Sequence, residues 1–334
     1  MAARRLAAIL MGAALAASLV LHAQTPPPEF RPLSEPVQRF VDYMAATHAF
    51  ERSALHDLFA QLKPSAGVQK AIAAPSTARP WHEFRPLFVD RSRIDNGVKF
   101  WDAHAPLLAR AQEEFGIPAA VIVAIVGVET RYGRVTGSFR TLDALHTLAF
   151  EGTNRPEFFR SELEHFLLLT REQRWSATDI KGSYAGAMGW PQFMPSSYRR
   201  YSIDYDGDGR VDLWSSAADV VGSVASYLAQ FGWRVGEPFA VRARFDGDPE
   251  QMPALGTEPA FNVGQWRMRG VQAADDVPAQ LDAGLFRLDL ADGPEYWLGF
   301  GNFYAVLHYN RSRHYAMAVW ELAQEISAAR EQPL

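Results

Sequence analysis

The sequence predicts a mainly α fold of the α+β class with a small β insertion. Three observations carry this. Apolar residues recur at helical spacing through most of the chain from Val37 to Ile326. The stretch from Ala119 to Val128 is apolar on every face, as a helix buried all round must be. Only the residues from about Gly236 to Leu290 alternate with the period of two that marks strands. With 334 residues, 48% hydrophobic and 21% charged, the chain is globular; disorder, collagen and low complexity are excluded. The length suggests roughly two domains and an ample core.

Arg4 and Arg5, the apolar run Leu6 to Val20 and the small-residue site Leu21-His22-Ala23 read together as an export signal over residues 1–23. The run is too short for a good membrane span. Its removal takes the net charge from −5 to −7 and leaves no later apolar stretch of membrane-spanning length. Residues 24–36 hold five prolines and read as an extended leader. Helical spacing then returns at Val37, Phe40, Val41 and Met44, and at Leu55, Leu58, Phe59 and Leu62 before Pro64. Val98–Phe115 reads as one long helix ended by Gly116. Pro118 suits the first turn of the apolar helix that follows. Phe159 to Leu167 and Val220 to Phe231 are amphipathic helices. Phe239–Phe245 and Leu285–Leu290 are strands, and Tyr315 to Ile326 is a last helix. No internal repeat is present. The expected division is a helical domain over 37–105, a core over 106–235 that includes a loop at 204–219, a β domain over 236–296 and a C-terminal segment over 297–334.

Several chemistries are excluded. A pI near 6.0 and a net charge of −5 argue against a nucleic-acid partner. With no cysteine there is no disulfide, thiolate metal site, cysteine nucleophile or lipidated anchor. His82-Glu83 lacks the second histidine of an HExxH zinc site, and neither a phosphate-binding P-loop nor a GxSxG elbow occurs.

Glu129 stands out. It closes the apolar helix and is followed by Thr130-Arg131-Tyr132-Gly133. Burial and the negative end of the helix both disfavour an ionised carboxylate there and push its pKa up. A carboxylic acid protonated near neutral pH is what a general acid for glycoside cleavage needs. The plainer reading is a salt bridge from Glu129 to Arg131 or Arg134. The second segment that stands out is Gly182–Tyr198. Its three glycines, two prolines, hydroxyls, amide and aromatics make a poor helix and a poor strand but suit a groove wall against sugar rings.

Gly127–Gly133, Gly182–Tyr198 and the Asn302-Phe303-Tyr304, His308-Tyr309-Asn310 and His314–Val319 blocks together resemble lytic murein transglycosylases of the B type, glycoside hydrolase family 103. The resemblance runs from roughly Phe84 to Ile326. It implies a lysozyme-like catalytic core with an added helical domain and a small β domain. The implied reaction is cleavage of the β-1,4 bond between N-acetylmuramic acid and N-acetylglucosamine, leaving 1,6-anhydromuramic ends. Carried over by residue, Glu129 matches the single catalytic acid/base. Ser183, Gln192, Tyr309, Asn310 and Tyr315 match the lining of the glycan cleft, and Arg155 a contact to glycan or peptide. The implied partners are peptidoglycan strands, with other cell-wall enzymes as possible company; no cofactor is implied for catalysis. Asp143, Glu151 and Asp179 are candidate second carboxylates, though none sits in a comparable motif. His308 and His314 read as packing or surface residues. The competing readings are a silent murein-binding scaffold and a lysozyme-type hydrolase. The expected setting is the periplasm, in soluble form.

Asp204, Asp206, Asp208 and Asp212 occupy positions 1, 3, 5 and 9 of an EF-hand-like loop, with Gly207 at position 6. The Arg210 carbonyl would be the backbone ligand. Ser215 replaces the usual Glu at position 12, and Asp219, four residues on, supplies the last carboxylate in the family's manner. The site suits a structural Ca²⁺; the plainer reading is an Asp/Gly turn without an ion.

Overall fold

The computed structural model describes residues 32–73, 79–246, 248 and 252–331. The export signal and most of the proline-rich leader lie outside these residues.

Helix α1 (Glu35–His48) buries Val37, Phe40, Val41 and Met44 along one stripe. Helix α2 (Arg52–Ala60) starts where the Glu51 carboxylate accepts from the Ser53 and Ala54 amides, and α3 (Ala66–Ile72) is capped by Ser65. A short α4 (Trp81–Phe84) and a 3₁₀ turn (Arg85–Leu87) lead to α5 (Arg91–Ala103), capped by Asp90. Helix α6 (Ala105–Phe115) ends at Gly116 in the left-handed region. The single helix expected over Val98–Phe115 is therefore two. Pro106 lies in the first turn of α6, where its missing N–H does no harm, whereas within a continuous helix it would break the ladder.

Helix α7 (Ala119–Thr130) is buried at every position except Glu129, and Pro118 caps it from outside rather than opening it. A short strand β1 (Phe139–Arg140) precedes α8 (Thr141–Phe150) and α9 (Pro156–Gln173). Strand β2 (Lys181–Gly182) pairs with β1 and opens the glycine-rich segment, which reaches α10 (Pro195–Tyr201) through isolated bridges at Met188. The acidic loop connects α10 to α11 (Ala217–Gln230).

The strands follow. β3 (Ala240–Phe245), β4 (Phe261–Asn262), β5 (Val271–Ala273), β6 (Asp282–Leu290) and β7 (Gly293–Gly299) form one antiparallel sheet in the order β4-β6-β7-β3-β5, with α12 (Val263–Arg267) between β4 and β5. Helices α13 (Gly301–Tyr309) and α14 (Arg313–Glu331) close the chain.

One apolar core runs from Val37 to Ile326 and joins the N-terminal helices to the rest. The sheet keeps a small core of its own around Val241, Trp266, Leu285 and Phe300. Stacked rings tie the two together: Phe239 on Trp320 at 4.7 Å and Phe286 on Phe303 at 4.6 Å. Helix α7 lies innermost, against α5, α6, α11 and α14. Among the described residues no single helix is long and apolar enough to cross a membrane. The fold is thus the mainly α body with a β insertion that the sequence predicts.

Candidate active site

The site begins at the end of α7. Glu129 is its one half-buried residue and caps a column of apolar side chains. Desolvation there raises its pKa from 4.5 to about 7, against an opposing effect from one hydrogen bond. The donor of that bond is Tyr315, at the start of α14, whose hydroxyl lies 2.6 Å from Glu129 Oε1. No cation pairs with Glu129 among the described residues. Arg134 is bound to Asn96, so the salt-bridge reading of the sequence is set aside.

The turn after Glu129 is unusual. Arg131, Tyr132 and Gly133 lie in succession at φ of +52°, +62° and +79°. For non-glycine residues this region costs about 1–2 kcal/mol each. Packing and hydrogen bonds hold the turn. The Tyr132 ring lies on Gly127, where a Cβ would come within 2.5 Å of the Tyr132 hydroxyl. That hydroxyl donates to the Arg93 carbonyl at 2.8 Å. Thr130 Oγ1 accepts from the Gly133 amide and donates to the Trp190 carbonyl. A Cβ on Gly133 would sit 2.4 Å from the Trp190 ring, so glycine lets the glycine-rich segment close over the turn.

Arg93 secures the same helix end from behind. It is 6% exposed, and its guanidinium donates to the carbonyls of Gly127 and Leu87 and to Asp90. A buried cation at a helix C-terminus is favoured by the carbonyls it meets. Nothing in the sequence pattern marks Arg93, which stands among exposed polar residues of α5.

The other predicted residues fall in two groups. Tyr309, the last residue of α13, donates to the Pro191 carbonyl at 2.6 Å and stacks on Tyr315 at 6.2 Å. Burial and the Glu129 carboxylate push both tyrosines well above 10, so they remain donors. Tyr227, read in the sequence only as an apolar-face residue of α11, packs at 4.8 Å on Tyr309 and donates to the His308 carbonyl. Ser183 and Gln192 shape the loop instead. Ser183 Oγ accepts from the amides of Ala185 and Ala187. Gln192, at φ +51°, donates to the carbonyls of Thr136 and Gly189. Asn310 is exposed at the end of α13, and Arg155 lies over the Phe158 ring at 4.0 Å at the start of α9.

The second-carboxylate candidates do not join Glu129. Asp143 is bidentate to Arg140, Glu151 is exposed, and Asp179 accepts from Thr178. Burial and Tyr315 alone account for the state of Glu129.

In the acidic loop the carboxylates of Asp204, Asp206 and Asp219 converge, with one oxygen of each within 4.8 Å of the others. Asp219 is 1% exposed, and its oxygens accept from the amides of Tyr205 and Asp212. Asp208 is outside this trio; its carboxylate accepts from the Arg210 amide. Asp212 holds Ser215 and the Trp214 amide.

A helical body with one carboxylate whose pKa is raised to about 7, walled by tyrosines and a glycine-rich turn, defines a lysozyme-like glycan-cleaving enzyme. Residues 33–324 match the family model described as the transglycosylase SLT domain. The chain belongs to that family and is a lytic transglycosylase. It is 41% identical over 305 residues to membrane-bound lytic murein transglycosylase B of Escherichia coli K12, spanning 88% of this chain and 83% of that protein. Among solved structures it resembles the catenated lytic transglycosylase SltB1 of Pseudomonas aeruginosa, with TM-score 0.83, 45% identity and coverage of 89% and 98%. It also resembles Escherichia coli Slt35 in complex with calcium, with TM-score 0.79, 40% identity and coverage of 89% and 94%.

Proposed function

We propose that this enzyme cleaves the β-1,4 bond between N-acetylmuramic acid and N-acetylglucosamine in peptidoglycan, with Glu129 as its sole acid and base. The observation that carries this is the Glu129–Tyr315 pair. The Tyr315 hydroxyl occupies Oε1, which leaves Oε2 to carry the proton. Glu129 Oε2 donates that proton to the glycosidic oxygen, and the C1–O bond breaks. The substrate's own acetamido carbonyl stabilises the positive C1. The Glu129 carboxylate then takes the proton of the muramoyl C6 hydroxyl, whose oxygen attacks C1 and closes the 1,6-anhydro ring. Such a ring closure has an effective molarity of about 10⁵ M or more, so a second carboxylate to activate water is not required. The glycosidases with two carboxylates use them for that water or for a covalent intermediate.

The partly exposed Tyr309, Ser183 and Gln192 and the exposed Asn310 offer the ring faces, amides and backbone of a glycan cleft, and Arg155 offers a cation for glycan or peptide. Asp204, Asp206 and Asp219, with the Arg210 carbonyl and Asp208 nearby, suit a structural Ca²⁺, which a relative's complex also contains. A hard cation would neutralise carboxylates brought this close and brace the start of α11. The basic and apolar run of residues 1–23 supports a periplasmic setting.

Mass spectrometry of soluble products from purified murein tests the reaction. Anhydromuramoyl products from the wild type, and none from Glu129→Gln, are expected. Reducing muramic ends would replace this reading with a hydrolase, and sacculus binding without products would favour a scaffold.

A further inference from the structure

A cavity of about 400 Å³ opens at the junction of α13 and α14. It is lined by Leu255–Thr257 on the loop between β3 and β4, by Arg311 and Ser312 between α13 and α14, and by Arg313 and His314 in the first turn of α14. These four residues belong to the short connector from Tyr309 to Tyr315, the two tyrosines packed around Glu129. One short connector therefore links the cavity to the Glu129–Tyr315 bond.

Its chemistry is cationic and unsatisfied. Arg311 and Arg313 form no salt bridge among the described residues, and Arg313 Nε is buried without a hydrogen-bond partner. His314 is 5% exposed and packs against Trp81 and Phe84, and its Nε2 also lacks a partner. Buried polar atoms are nearly always paired, so two orphans on one cavity are positions that a bound ligand can satisfy. The nearby carboxylates do not fill the role: Asp289 is already paired with Arg287, and Glu258 stands exposed on the facing loop. The Ser312 hydroxyl accepts from the Tyr315 amide, so the positive end of α14 opens on the same space.

We infer that this cavity takes the carboxylates of the acidic stem peptide carried by the muramoyl residue at the cleavage site, making the enzyme selective for peptide-bearing glycan. The inference rests on the murein reading above. The stem peptide leaves the muramoyl ring at C3, one sugar width from the C1–O bond on which Glu129 acts. The cavity is larger than a lone anion needs and has guanidinium forks for carboxylates on one wall. A loop backbone on the opposite wall, Leu255–Thr257, suits a peptide main chain.

The test is calorimetric binding at low salt in the Glu129→Gln protein, which does not turn over. The ligands are a soluble disaccharide bearing its acidic stem peptide and the same compound with the peptide carboxylates amidated. Amidation is expected to weaken binding about tenfold. In Glu129→Gln with Arg311→Gln and Arg313→Gln the two compounds should bind alike. Arg311→Lys with Arg313→Lys should restore part of the difference. Equal affinity for both compounds before the arginines are changed, or discrimination that survives their loss, overturns the inference. Failure of the murein reading looks different: the wild type then releases no anhydromuramoyl products whatever the charge of the peptide, while charge-dependent binding would still keep the cavity's role.

Discussion

At the scale of the residue, the half-buried Glu129 carboxyl lowers stability as pH rises. Its folded pKa of about 7 lies above the 4.5 of the unfolded chain. The folded state therefore holds the proton more tightly, and its advantage is complete below pH 4.5 and lost as pH rises through 7. Glu129→Gln keeps the acceptor for Tyr315 and removes this loss. Urea unfolding should show the variant gaining about 2–3 kcal/mol on the wild type between pH 4.5 and 8.5. Turnover of the wild type should decline above pH 7 for the same reason. Tyr315→Phe deletes the one interaction that favours ionised Glu129, so the alkaline limb of its pH profile should move upward. Its turnover at pH 6 should fall about tenfold, because the carboxyl loses its orientation. An unmoved limb would mean that Tyr315 does not act on the titrating group. Glu129 was legible in the sequence because a lone carboxylate at the end of an all-apolar helix has few structural explanations. Arg93 was not, because a buried cation held by backbone carbonyls leaves no pattern in the chain.

At the scale of the element, the glycine-rich segment and the acidic loop explain their own composition. Gly133 admits the Trp190 ring, and Ser183 and Gln192 spend their polar groups on turns of the backbone. The acidic loop sets three carboxylates together at the entrance to α11. Calcium should raise the Tm of the wild type, since an ion bound only by the folded state stabilises it by mass action. Asp219→Asn should abolish most of that rise, and scanning calorimetry with and without chelator checks it. Helices with one apolar stripe, such as α1 and α9, were readable from their spacing. Helix α8 was not, because burial of nearly every residue from Thr141 to Ala149 erases the period. The break between α5 and α6 was written in Pro106, but the apolar periodicity on either side concealed it.

At the scale of the whole molecule, the N-terminal helices and α7 share one core, whereas the sheet has a smaller one. Sequence alternation located the sheet but could not supply its strand order, which depends on pairings between distant segments. Opening should follow the same gradient, because small satellite cores and edge strands separate before a central helix does. In native-state hydrogen exchange the amides of α7 should be the last to exchange, and those of β4 and β5, at the two edges, among the first. Fast exchange in α7 would show that Glu129 rests on a labile support.

The bond between Tyr315 and Glu129 joins positions 186 residues apart. That span has a consequence in time. A chain still being made presents its carboxylate long before it presents the tyrosine that holds it. Nor can it lay Tyr309 against Pro191 until α13 has arrived. The site is thus the last thing the chain completes, and a product cut short before α14 lacks the hydroxyl that holds Glu129.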